Sequence, residues 1–397
     1  MAPRTPVVVA ACRTPIGTAG RGLARVDVAG LGAVVLRRLA GDLATVLPGP
    51  VRVDDVVLGN CCGPGGDMAR VAALAAGLGT EVPGVSVDRQ CGSGLEAVRL
   101  GAALVASGQA DLVLAGGAES ASTAPWRLAR PQGPTQAPRP YTRAPFAPAG
   151  FPDPEMGAAA DAVARQCGVD RARQDDYAAR SHRRTLAARQ AGVFDGELVP
   201  VRGLALDERP RAGLTAAVLS RFRPAFTDGG SATTGNSCPI SDGAAAVALV
   251  PEECRATAGL PGLAVRATAV AGVDPALPGL GCVPAVQAVL ERAGVGLDEV
   301  GVIEITEAFA GQVLACTDAL GLDVFGADAE RVCPDGGAIA LGHPWGASGS
   351  LLLVRLFSRM VRRTMPPDSP DADSRFGLAT CAVGGGQGIA MLVERVG

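Results

Sequence analysis

No lysine occurs in this sequence: all 36 of its strongly basic residues are arginine. Schiff-base catalysis and a lysine phosphate clamp are therefore excluded, and an anionic ligand has to meet arginine or a helix N-terminus. Beside the abundance of alanine, glycine and proline, the missing lysine matches a GC-rich coding sequence. Only two histidines are present, His182 and His343, too few for a His-rich metal centre, and the adjacent Cys61 and Cys62 read as packing residues. Aromatic residues make up 3% and the formal net charge is −3, which leaves neither stacking platforms nor a basic footprint for nucleic acid. No run is long and apolar enough to span a bilayer, and the opening PVVVAA between arginines is too brief for a secretion signal. Eleven cysteines without a C-x-x-C pair do not read as a disulfide framework, so a reducing, cytoplasmic setting is expected. A nucleotide-binding reading lacks support, because no G-x-G-x-x-G follows the first strand and no P-loop motif is present.

What the chain does hold is apolar sequence with a regular alternation. Of its 397 residues 48% are hydrophobic, enough for a large core divided into more than one lobe. Strand-like PVVVAA, VDDVVLGN, VPGVSVD and DLVLAGG alternate with helical patterns over 28–43, 68–78 and 94–107. That alternation predicts an α/β layered architecture, its sheet covered on both faces. Residues 122–154 break the pattern with a Pro-rich, arginine-dotted excursion that reads as a functional lid. A second series runs from LAVRATAVAG through VGVIEI, the helix around 309–320, LLLVRLFSRMV and FGLATCAV to GIAMLVERV, which suggests a duplicated half. The stretch MPPDSPDADSR, 365–375, reads as a surface loop.

Two places look able to do chemistry. VSVDRQCGSGLEAV puts Cys91 where a strand turns into a helix, with two glycines in the next three residues. The glycines permit a tight turn, and the helix N-terminus offers free N–H groups and a positive dipole end, which lower a thiol pKa and suit a nucleophile. A small buried residue beside a turn fits the spacing equally well. GGAIALGHPWGASGS holds His343 between Gly and Pro at the start of a second helix, a setting that suits a base better than a core residue.

In combination QCGSG, TTGN with SDGAAAV, EAFA, GGAIALGHPWGASG and GGGQGIA occur in the order found in thiolases, and the chain resembles that family over nearly its whole length. The resemblance implies a five-layered αβαβα thiolase fold from two related halves, with an inserted loop domain. Its parts would be 1–119 with 246–258, the loop domain 120–245 as lid and coenzyme A site, and 259–397. It also implies a homodimer or homotetramer and no permanently bound cofactor, coenzyme A thioester being the substrate. Cys91 would be acylated by an acyl-CoA or acyl-carrier-protein thioester and His343 would activate it. Gly384 would supply an oxyanion N–H, and Arg211 would meet the coenzyme A adenine or phosphates.

Three departures from the family pattern bear on the second half of the reaction. The family places its second cysteine, the carbon base, two residues before GGG; here that position is Ala382, and Cys381 stands one residue early. A one-residue shift in a strand points the side chain to the opposite face, so Cys381 substitutes only through a bulge or register slip. Thr306 replaces the asparagine that holds an oxyanion-hole water. Glu155 stands where the lid often has histidine or a small residue, and Cys238 replaces a serine on the pantetheine path. Acyl-enzyme formation survives these changes. For the next step the sequence leaves open a decarboxylative condensation, transfer to another acceptor (together read as a thiolase-like acyltransferase of altered scope), or ordinary thiolysis and condensation. A scaffold without catalysis is the reading from a different class.

Overall fold

The computed structural model describes residues 4–47, 49–363 and 374–397, so most of the loop expected at 365–375 lies outside the described residues. The first half contains β1 (Pro6–Arg13), β2 (Gly17–Thr18), α1 (Val28–Val46), β3 (Asp55–Gly59), α2 (Met68–Ala76), β4 (Gly84–Val87), α3 (Ser93–Ala106) and β5 (Val113–Ser120). Asp27 and Asp67 cap α1 and α2 by accepting the backbone N–H groups of Gly30 and Arg70, and α2 stops at Gly77, whose left-handed φ of 80° glycine adopts without strain. An excursion follows with β6 (Arg127–Ala129), β7 (Arg139–Tyr141), α4 (Met156–Gln166), α5 (Arg171–Gln190) and α6 (Ala216–Leu219). The Pro-rich stretch is thus not wholly irregular: β6 and β7 pair as an antiparallel hairpin.

The chain returns through β8 (Ser241–Pro251) and α7 (Glu252–Thr257) to the second half. This holds β9 (Gly262–Gly272), α8 (Cys282–Ala293), β10 (Val300–Ile305), α9 (Ala310–Ala319), α10 (Ala338–Leu341), α11 (Trp345–Phe357), β11 (Phe376–Val383) and β12 (Gln387–Val396). Read outward from the middle, β1-β8-β5-β3 and β9-β12-β11-β10 repeat one arrangement, two antiparallel pairings and then a parallel one. The duplication suggested by the two alternating series is therefore present as topology. The halves join edge to edge into one ten-stranded sheet, but only at Val7 with Ala264 and Val8 with Leu263.

Three apolar clusters fill the spaces between layers. One packs α1 and α2 on the first half, one packs α8 and α9 on the second, and the third holds α3 and α11 between strands of both halves. This is the αβαβα layering that the resemblance implies, and it makes α3 and α11 equivalent elements of the two halves. They approach so closely that only glycine fits at the contact: a Cβ on Gly94 would lie 2.8 Å from the Gly346 carbonyl oxygen, and one on Gly349 2.5 Å from the Leu95 nitrogen. The residues just before the two helices, Cys91 and His343, are thereby brought to one end of the shared layer.

Candidate active site

The turn that presents Cys91 is fixed by its neighbours. Gln90 takes a left-handed φ of 45°, unusual for a non-glycine residue, and its N–H donates to Asp88 Oδ1 at 2.7 Å. Ser93 Oγ donates to the Gln90 carbonyl at 2.6 Å while accepting from the Arg89 N–H at 2.8 Å. The turn occupies donors that the sequence reading left free: Gly92 N–H goes to the Arg89 carbonyl and Ser93 N–H to that of Gln90. Accordingly the Cys91 thiol is not activated at rest. Burial pushes its pKa well above the ordinary value, and the nearby thiols of Cys381 and Cys238 push the same way. The lowering expected from the helix end does not appear, burial being the largest influence on this thiol.

His343 follows Gly342, whose φ of 122° is in the region that favours glycine and whose Cβ would collide with Ser241 Oγ at 2.5 Å. The His343 N–H donates to that same Ser241 Oγ at 3.1 Å. Its ring Nδ1 lies 2.6 Å from Ser348 Oγ, and Ser348 donates its one hydroxyl proton to the Pro344 carbonyl at 2.9 Å. Ser348 must then accept, which places the imidazole proton on Nδ1 and leaves Nε2 with its lone pair. Nε2 is buried and has no hydrogen-bond partner in the protein. Burial lowers the His343 pKa to about 4, so the ring is neutral at pH 7. Glu119 braces the arrangement by accepting N–H groups from Cys61, Cys62 and Gly346, which ties the turn after β3 to the start of α11.

The end of β11 settles where the two candidate positions for a second cysteine point. β11 and β12 pair without a bulge through Cys381 with Ile389 and Ala382 with Gly388, so the two side chains lie on opposite faces. Cys381 is fully buried in the layer of α3 and α11, and Ala382 is partly exposed on the side of α8 and α9. No register slip occurs, yet the Cys381 thiol comes 3.2 Å from the Cys91 carbonyl oxygen, and equally close to that of Ala382. Its pKa is pushed up to about 12 by burial, with the Thr306 hydroxyl pulling slightly the other way. Cys381 is therefore a neighbour of the nucleophile whose proton faces two carbonyls.

The other expected residues divide between near and far. Cys238 is partly buried, close enough to raise the Cys91 pKa, and its own is pushed up to about 12 by burial. Thr306 is buried, donates its N–H to the Thr380 carbonyl and leaves its hydroxyl without a protein partner. Gly384 opens the turn into β12 and lies under the lid: a Cβ there would meet the Phe146 ring at 2.7 Å. Arg143 stacks on that ring at 4.5 Å and pairs with Asp153 at 2.8 Å and with Glu155 at 3.5 Å, so Glu155 is an exposed lid charge. The lid residues Trp126, Tyr141, Arg143 and Glu155 line a cleft of about 750 Å³ together with Cys62. Arg211 is exposed and only its backbone N–H contacts His182, at 3.4 Å. Ser348, Glu119 and Phe146 were not singled out from sequence; for Ser348 the spacing five residues after His343, one turn into a helix, was the available signal.

Comparison with known proteins agrees over the whole length. Residues 6–253 match the family model described as thiolase, N-terminal domain, and 261–395 that described as thiolase, C-terminal domain. An acetyl-CoA acetyltransferase of Pseudomonas aeruginosa is 40% identical over 98% of this chain and 99% of its own. The beta-ketoadipyl-CoA thiolase of Acinetobacter baylyi is 38% identical over 98% and 99%. The crystal structure of the Bacillus anthracis acetyl-CoA acetyltransferase superposes with a TM-score of 0.88, covering 100% of both chains at 34% identity.

Proposed function

The chain belongs to the thiolase family and is an acyltransferase, and from that premise we propose that it moves acyl groups between coenzyme A thioesters as an acetyl-CoA acetyltransferase, with Cys91 carrying the acyl group. The observation that supports this most directly is the close crossing of α3 and α11, which brings Cys91 and a neutral His343, its Nε2 without a protein partner, to one end of the same layer. Since both groups are neutral at rest, proton transfer accompanies attack and does not precede it. His343 Nε2 takes the Cys91 proton as sulfur bonds to the thioester carbon. The bond from that carbon to the coenzyme A sulfur breaks, and the leaving sulfur takes the proton back. Gly384 is placed in this reading as an oxyanion donor, under the Phe146 roof that keeps water from the acyl-enzyme. In the thiolytic direction the acceptor is a coenzyme A thiol, which His343 deprotonates in the same way.

Ala382 supports a second reading, in which the nucleophilic carbon arises by loss of CO2 from a malonyl thioester because no thiol occupies the family's base position. One experiment separates the two. The protein is incubated with acetyl-CoA, its intact mass followed, and acetoacetyl-CoA formation measured with and without malonyl-CoA. The expected result is an acetyl adduct on Cys91 and product from acetyl-CoA alone, which requires a protein group such as Cys381 to take the α-proton that the second acetyl-CoA loses. Product only in the presence of malonyl-CoA would favour the second reading, and no adduct would sink both. Cys91→Ser should abolish the adduct, and His343→Asn should slow it by roughly 10²-fold or more.

A further inference from the structure

Behind Ser348 lies a cavity that the chemistry above leaves unused. Its volume is about 10 Å³, near the least that admits one water, and its lining includes Glu304, Thr306, Ser348, Leu352 and Arg355. Two of its lining residues carry a buried polar atom that makes no hydrogen bond of ordinary geometry within the protein, Glu304 Oε1 and Thr306 Oγ1, the latter close enough to the Cys381 thiol to lower its pKa. Such atoms each cost about 1–3 kcal/mol when left unmatched, so two of them on residues that line one small space call for a common partner. Ser348 Oγ offers a third contact. It accepts from His343 Nδ1 and donates to Pro344, which leaves one lone pair unused. A single water meets all three needs by accepting from Thr306 and donating to Ser348 and Glu304.

The charge balance is compatible. Burial pushes the Glu304 carboxyl up to about 8; Arg355 and Arg359 pull it down, and Asp335 and Glu307 push it further up. A neutral carboxyl therefore sits at this depth at pH 7 without a bare charge.

We propose that this cavity holds an ordered water linking Glu304 and Thr306 to Ser348, so that the two are positioning residues that fix the His343 ring through Ser348. The inference rests on His343 being the base for Cys91. A base held by one hydroxyl rotates unless that hydroxyl is itself held, and the water supplies the second anchor. It also gives Thr306 a role distinct from the one expected from sequence, facing the back of the histidine.

The test combines structure and rate. A high-resolution crystal structure of the native chain is expected to show one water within hydrogen-bond reach of Glu304, Thr306 and Ser348, absent in Thr306→Val; an empty cavity in the native chain, or a Thr306 hydroxyl bonded to Cys381 instead, overturns the proposal. Thr306→Val and Glu304→Gln, both close in shape to the native residues, should slow acylation of Cys91 by acetyl-CoA by roughly tenfold, about the worth of one hydrogen bond on the base, with KM unchanged. Thr306→Ser should restore the rate, which a packing role for the threonine would not predict. Variants that melt at the native temperature yet acylate at the native rate overturn the proposal while His343→Asn still fails. If His343→Asn itself acylates normally, the reading of the base falls first.

Discussion

At the scale of single residues the site is held in a resting state by desolvation. Cys91 has a raised pKa and His343 a lowered one, so an ion pair of thiolate and imidazolium is not the ground state. Alkylation of Cys91 by iodoacetamide, followed by mass, should therefore keep rising as pH passes the ordinary thiol value of about 9. A plateau reached near neutrality would show that a thiolate forms in the unliganded protein. Cys381, buried with its proton directed at two carbonyls, is expected not to activate Cys91. Cys381→Ala should leave acylation of Cys91 and acyl exchange with coenzyme A within about threefold and cost about 1 kcal/mol in chemical denaturation, the loss of one small apolar group. Cys91 and His343 were legible in the sequence because the glycines that shape their turns are adjacent in the chain. The state of their protons was not, because it depends on burial by segments hundreds of positions away.

At the scale of elements the decisive contact is the crossing of α3 and α11. Gly94→Ala would drive a methyl group against the Gly346 carbonyl oxygen and the Ser350 nitrogen, each 2.8 Å from it, and backbone atoms have little room to yield. Overpacking of this kind costs about 1–3 kcal/mol. The melting temperature should drop accordingly and acylation should fall with it, because separating the helices separates Cys91 from His343; a variant with native acylation would show that the crossing does not set the site. The lid acts through Phe146, which covers Gly384 and Gly385. Phe146→Ala should admit water and hydrolyse the acetyl-enzyme roughly tenfold faster in a mass time course, with its formation little changed. The helices expected over 28–43 and 68–78 form at Val28–Val46 and Met68–Ala76. The hairpin of β6 and β7 was hidden because proline and arginine obscure a period of two over three residues.

At the scale of the molecule the halves share charge as well as apolar surface. Arg13 of β1 donates to Glu197 at 2.7 Å and to Asp207 at 2.7 Å, both from the excursion between β5 and β8; Glu197 also pairs with Arg355 of α11, which reaches Asp335 at 2.6 Å. These side chains are almost wholly buried, so removing one partner strands a charge. Glu197→Gln is expected to lower unfolding free energy by about 3–5 kcal/mol, and the loss should change little between low and high salt because solvent ions do not screen a buried pair. Loss of that difference in salt would place the network at the surface. The thiolase resemblance carried the layer order and the two halves, whereas the network joins residues too far apart for spacing to show. One consequence concerns synthesis. The inward face of α3 leaves the ribosome long before α11 emerges at Trp345 to cover it, so the nascent chain carries an exposed apolar helix face through most of its translation. A chain built this way depends on shielding of that face while it grows, and its yield should respond to chaperone supply more than the native protein's stability would suggest.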